Sequence, residues 1–179
     1  MRKILFIVCM VAAMTTAAQA QPFQQGTNIL QAGIGIGGNL GGLGTGRPAI
    51  SVSYEKGMWD VGGPGVISLG GYIGNTGFKY SSSGYSQSWN YTVVGVRSAY
   101  HYNGFTEAPN LDVYGGAMLG YNVVSYKVTG GYTGPNAYGS GLGLSLYIGG
   151  RYFFSENLGA FAELGYGVST LNLGIAYKF

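Results

Sequence analysis

In the last nine residues, LNLGIAYKF, every second side chain is large and apolar: Leu171, Leu173, Ile175, Tyr177 and Phe179, with Asn172, Gly174, Ala176 and Lys178 between them. A period of two is the signature of a β-strand with two unlike faces. The same alternation recurs along the chain with very few charges: charged residues make up 8% of the sequence, against about 25% in ordinary soluble proteins. With so little charge to offer water, the apolar face is expected to meet lipid. Beyond residue 20, glycines and polar residues interrupt every apolar run before it reaches the about 20 residues a spanning helix needs. A chain that enters a bilayer without such helices must close its strands into a barrel, because lipid cannot satisfy the hydrogen bonds of an open sheet edge.

The first 20 residues have the layout of a cleaved secretory signal peptide: Arg2 and Lys3, an apolar run from Ile4 to Met14, and Ala18-Gln19-Ala20 as the cleavage pattern. Residues 21–179 are then the single barrel domain. Cys9 falls inside the leader, so the mature chain carries no cysteine and no thiol or disulfide chemistry. Without Arg2 and Lys3, seven basic residues face six acidic ones, which gives no electrostatic basis for nucleic-acid binding.

Alternation predicts strands at about 28–37, 49–56, 66–74, 91–102, 111–126, 142–154, 158–168 and 171–179. A bulge or strand end is expected at Asn75-Thr76-Gly77, where alternation fades, and polar loops at 81–88 and 129–140. Eight is an even number, as single-chain outer-membrane barrels require. The expected architecture is an all-β, eight-stranded antiparallel up-and-down transmembrane β-barrel with both termini in the periplasm.

Parity sends the mid-strand charges Glu55, Arg97, Asp112, Arg151, Glu163 and Lys178, with His101, to the inward face. A charge facing the bilayer midplane costs roughly 2–4 kcal/mol, so lipid would impose this sorting. An interior of eight strands is filled by side chains, and these residues are expected to pair there as a lumen charge network. His101 is expected near the inner rim as a solvated polar residue. It lies at the opposite end of its strand from the Ser-rich loop and has no second His or Cys, so neither nucleophilic activation nor a metal site is expected. No cofactor is expected. The outward aromatics Tyr54, Tyr100, Tyr102, Tyr152, Phe154, Tyr177 and Phe179 read as an interfacial girdle. Tyr80, Tyr85, Trp89, Tyr132 and Tyr138, set among Ser, Gly and Asn, are candidate loop contacts for an external ligand.

The segments LDVYGGAMLGYN (Leu111–Asn122), ELGYG (from Glu163) and LNLGIAYKF (Leu171–Phe179) resemble the small outer-membrane β-barrel family of Gram-negative bacteria, in the style of OmpX and the OmpA membrane domain. The resemblance covers the mature chain in pattern and its second half in motif. It implies residence in the bacterial outer membrane, contact with outer-membrane lipid and lipopolysaccharide, and Phe179 as the signal read by the barrel-insertion machinery. The function expected is non-enzymatic, structural or surface-interacting through the external loops. The alternatives are a small pore for ions or small solutes and, further off, a lipid-modifying outer-membrane enzyme.

Overall fold

The structure, a computed structural model, describes residues 23–37, 45–82, 84–130, 139–165 and 168–179. The expected leader (residues 1–20), Tyr132 and Tyr138 lie outside the described residues. Eight strands follow one another: β1 (Asn28–Ile36), β2 (Thr45–Asp60), β3 (Gly65–Ser82), β4 (Tyr85–Tyr102), β5 (Leu111–Thr129), β6 (Gly141–Phe153), β7 (Leu158–Gly165) and β8 (Leu171–Lys178). Each pairs antiparallel with its chain neighbour, and β1 pairs with β8 from Ile29↔Lys178 to Ile36↔Leu171, which closes the sheet into an up-and-down barrel. Closure removes both sheet edges within the belt, the condition set by lipid.

One end, here the terminal end, carries the start of β1, the end of β8 and the connections at 61–64, 103–110 and 154–157. The other, the loop end, carries the remaining connections, and there β3, β4 and β5 rise past their shorter neighbours as a tall wall. β5 pairs with β6 only as far as Asn122↔Gly141, yet with β4 as far as Thr129↔Ser86.

The wall is taller than alternation predicts. The loop expected over 81–88 is replaced by strand at 81–82 and 85–88: β3 runs to Ser82, β4 starts at Tyr85, and Ser82 pairs with Tyr85. Gly84 supplies the turn, with φ at +90°, a conformation that favours glycine. Aromatic side chains on the wall's inner face hold the ladder together, Tyr80 against Tyr85 at 6.0 Å and Trp89 against Tyr126 at 5.4 Å between ring centroids. Nor does β3 break at Asn75-Thr76-Gly77, where its register with β4 is continuous. Asn75 sits outward and donates from Nδ2 to Asn90 Oδ1 and Thr92 Oγ1, so a polar cross-strand link stands where an apolar residue was looked for. The bulge expected at this level is on the partner strand: β2 shifts register between Arg47, opposite Gly77, and Ile50, opposite Asn75, and again between Gly57 and Trp59.

The two faces are those that lipid would select. Leu142, Leu144, Leu146 and Ile148 alternate outward on β6 and are 60–75% exposed, as do Ile34, Ile50, Val96, Leu119 and Ile175 on other strands. A continuous apolar surface of this extent has no place in water. Tyr54, Tyr100, Tyr102, Tyr152, Phe154, Tyr177 and Phe179 are also exposed, around the terminal end as expected for a girdle. Inside, two apolar clusters occupy different levels. Phe23, Ile29, Val66, Phe153, Phe161 and Ala176 fill the terminal end, and Tyr72, Val93, Tyr114, Met118, Tyr147 and Val168 belong to the cluster above. The inward face is therefore not uniformly polar. Glycine makes the room: a Cβ on Gly149 would come within 2.6 Å of the Tyr114 ring.

Candidate functional site

Between the two apolar clusters lies the lumen charge network, to which every strand sends a polar side chain: Gln31, Glu55, Ser68, Arg97, Asp112, Arg151, Glu163 and Asn172, in chain order. Arg97 reaches across the lumen to β2 and β7, with Nε 2.7 Å from Glu55 Oε1 and Nη2 2.6 Å from Glu163 Oε2. Its guanidinium lies 3.9 Å from the centre of the Tyr147 ring, whose hydroxyl donates to Ser98 O at 3.1 Å. Arg151 is fully buried; it bonds Asp112 Oδ2 at 3.0 Å, Gln31 Oε1 at 3.0 Å and Glu55 Oε2, and covers the Tyr114 ring at 4.2 Å. Tyr114 in turn donates to Glu163 Oε2 at 3.1 Å. Three carboxylates thus meet two guanidiniums and one imidazole in a single connected cluster. Paired and hydrogen-bonded, such charges tolerate a low-dielectric interior; alone, each would be prohibitive.

Parity brought six of its seven residues to this cluster. Lys178 sits at the terminal mouth, half-buried, its Nζ 4.8 Å from the Phe153 ring centre. The reading of His101 as a solvated rim residue is corrected: it is fully buried. Its Nδ1 lies 2.9 Å from Asp112 Oδ1 and its Nε2 3.0 Å from Ser68 Oγ, the order of a Ser-His-Asp relay. The expectation that no serine would reach His101 is also corrected. It looked to the Ser-rich segment at the far end, whereas Ser68 faces inward on the adjoining strand β3. Ser68 is itself fully buried, and Phe23 stacks on the imidazole at 3.9 Å between ring centroids, so no substrate can approach the hydroxyl while that ring is seated.

Phe23 is the residue that sequence reasoning missed: it belongs to the short arm ahead of β1, outside any alternating stretch. The arm instead folds across the terminal mouth: Gly26 N donates to Gly57 O at 2.8 Å and Gly57 N to Thr27 O at 2.9 Å. Asn103 Nδ2 donates to Phe23 O, and the Phe23 ring is left 2% exposed. The one hint in the sequence is a lone aromatic among glutamines. On the other side of the cluster, Tyr72, Arg97, Met118, Tyr147, Glu163 and Asn172 help line a cavity of about 20 Å³, enough for one water molecule. Among the described residues no group of three His, Cys, Asp or Glu side chains is arranged to hold a metal ion.

Of the candidate loop contacts, Tyr80, Tyr85 and Trp89 are corrected in position: all three lie in β3 or β4, partly or fully buried on the tall wall, rather than in a loop.

No family model matches the sequence, and no curated protein matches it. Solved structures do match. A designed transmembrane β-barrel shares 18% identity over 87% of this chain and 98% of its own, with a TM-score of 0.52. Ail, the attachment invasion locus protein of Yersinia pestis, shares 13% identity over 87% of this chain and all of its own, with a TM-score of 0.50. Neisserial surface protein A shares 19% identity over 86% of this chain and 94% of its own, also with a TM-score of 0.50. At these identities the likeness speaks for the fold alone, which is the eight-stranded antiparallel up-and-down barrel shared by these transmembrane β-barrels.

Proposed function

We propose that this protein is an integral barrel of the bacterial outer membrane, exported through a cleaved leader and catalysing no reaction. Its termini lie in the periplasm, Phe179 serves the insertion machinery as an assembly signal, and the loop end provides structural or surface contacts. The observation that carries the reading is the filled interior. Glu55, Arg97, His101, Asp112 and Arg151 are each no more than 2% exposed, the cavity beside them has room for one water, and apolar side chains close both sides. That leaves the outer surface and the loop end as the places where contact can be made. The name of Ail, an attachment invasion locus protein, is in keeping with a contact role.

Planar-bilayer recording tests this reading against a pore. The expected result is a silent membrane at protein levels where porins give steady unitary steps. Steps abolished by Arg97→Ala would establish the pore instead. A protease site placed after Ser83 should be cut in whole cells, and one at the mature N-terminus should not.

One observation favours a second reading, the Ser68-His101-Asp112 geometry, which has the spacing of a hydrolytic relay. Hydrolysis of labelled phospholipid by purified protein, lost in both Ser68→Ala and His101→Ala, would support it. Burial of all three residues argues for a structural use of the same bonds.

A further inference from the structure

The outer surface of the tall wall changes character along its height. At mid-barrel it carries Ile73, Val94 and Tyr121, each about half exposed. The next outward row is Asn75, Thr92 and Val123, then Arg47, Gly77, Asn90 and Ser125, then Lys79, Ser88 and Lys127, all in register across β2 to β5. Because alternate residues share a face, these rows stand directly above the lipid-facing ones. Arg47, Lys79 and Lys127 are exposed and line, with Ser88, Asn90 and Ser125, an open hollow of about 390 Å³. Arg47 is held in place: its Nη2 donates to Asn75 Oδ1, and its guanidinium lies across Gly77, where a Cβ would come within 2.9 Å of Nε.

The charge at this end has one sign. Glu55, Asp112 and Glu163 are in the lumen, while Asp60, Glu107 and Glu156 belong to the terminal end. Residues 37–44, 83–84, 130–140 and 166–170, which connect the strands at the loop end, contain no charged residue at all. Three cations therefore project from one outer wall with no carboxylate near them in the hollow's lining.

We propose that Arg47, Lys79 and Lys127 form a binding site for the phosphate-bearing headgroup of an anionic glycolipid in the leaflet at the loop end. The proposal rests on the reading of the barrel as an outer-membrane protein and names a partner for its outer surface. A phosphate ester suits the donors: a guanidinium offers two parallel N–H groups, the lysines add point charges, and Ser88 and Ser125 can bond further oxygens. Location selects a lipid over a soluble anion. The cations are on the lipid side of the wall, two or three side-chain rows above Ile73, Val94 and Tyr121, where headgroups lie. The barrel mouth, where a soluble ligand would enter, is elsewhere.

The test uses the full mature barrel in zwitterionic detergent micelles, with bis-phosphorylated lipid A as the probe and retained lipid counted by native mass spectrometry. Each of Arg47→Gln, Lys79→Gln and Lys127→Gln should weaken retention about fivefold, and the triple variant about 100-fold. Lys56→Gln, an outward cation near the terminal end, should leave retention unchanged. Dephosphorylated lipid A should bind no better to the parent than to the triple variant. Retention by the triple variant within twofold of the parent would overturn the site. Displacement of lipid A by inorganic pyrophosphate or by a sulfated oligosaccharide, at equal anion concentration, would overturn the lipid as occupant. The heat-dependent gel shift of each variant reports barrel closure separately, so a loss of binding is distinguishable from a loss of fold. Fractionation of the parent away from the outer membrane would sink the underlying reading instead.

Discussion

Replacing Arg151 by methionine removes one of two guanidiniums from a cluster of three carboxylates and leaves the length of the side chain nearly intact. Arg151 is fully buried and bonds Asp112, Gln31 and Glu55 while covering Tyr114. In its absence Glu55 retains Arg97, at 2.7 Å, and Asp112 retains only His101 among the cluster's cationic or ionisable bases. Breaking a buried pair by deleting one partner costs about 3–5 kcal/mol, because the survivor stays desolvated. For Arg151→Met that amounts to a loss of about 140- to 4,000-fold in the folding equilibrium. Removing a carboxylate as well should return part of the loss. The double variant Arg151→Met with Glu55→Gln is expected to be less destabilised than the sum of the singles by roughly 0.5–3 kcal/mol. The assay is urea unfolding in lipid vesicles followed by tryptophan emission, for which Trp89, 8% exposed on the inner side of the wall, is a built-in probe. Lys56→Met, exposed, provides the comparison and should cost less than about 1 kcal/mol. If Arg151→Met lies within 1 kcal/mol of the parent, or if the two substitutions add to within about 0.5 kcal/mol, the cluster is not the interdependent unit described here.

Three further outcomes follow from other parts of the molecule. Leu144→Arg, on the lipid face at mid-barrel, should lower vesicle stability by about 2–4 kcal/mol, whereas Ser125→Arg near the top of the same outward face should cost about 0–1 kcal/mol; equal costs would contradict the assigned depths. Phe23→Ala should open the terminal mouth, and His101, the chain's single histidine, should then react with diethyl pyrocarbonate while the parent resists. Labelling of the parent at the same rate would mean that the arm does not cover the ring. Gly149→Ala forces a Cβ to within 2.6 Å of the Tyr114 ring and should cost roughly 1–3 kcal/mol as overpacking, read as a lower urea midpoint.

What was legible in the sequence was whatever lipid enforces directly. Leu142 to Ile148 on β6 and Leu171 to Phe179 around β8 alternate cleanly because each outward polar atom there would be penalised, and the strands, their number and the inward charges could be read from that alone. Legibility fell away where water takes over. Residues 81–88 are rich in Ser, Tyr and Gln, a composition shared by loops and by strands with two wet faces, and only the inner aromatic contacts of Tyr80, Tyr85 and Trp89 distinguish the second. Parity also gives the face of a side chain but neither its height nor its partner across the lumen. This is why alternation can set Ser68 on the inward face of β3 without placing it against His101. It is also why Phe23, which precedes the first strand and belongs to no alternation, shows in the sequence only as a lone aromatic among glutamines.

The same limit explains what the charge network contributes. Lipid excludes a slip of one residue between strands, because it would turn Glu55, Arg97, Arg151 and Glu163 outward at roughly 2–4 kcal/mol for each charge near the midplane. It is blind to a slip of two residues, which keeps every side chain on its proper face. The bonds that oppose such a slip are those that cross the lumen: Glu55 on β2 meets Arg97 on β4 and Arg151 on β6, and Arg97 also meets Glu163 on β7. None of these strand pairs is adjacent in the sheet, so the backbone ladder cannot substitute for them. A two-residue shift moves one strand about 6.6 Å past its neighbour and parts carboxylate from guanidinium while both remain buried. Apolar packing above and below the cluster would resist such a shift too, but a leucine accepts a new neighbour far more readily than a buried carboxylate does. The ion pairs therefore contribute less to holding the barrel closed than to selecting one register among those that lipid alone would accept.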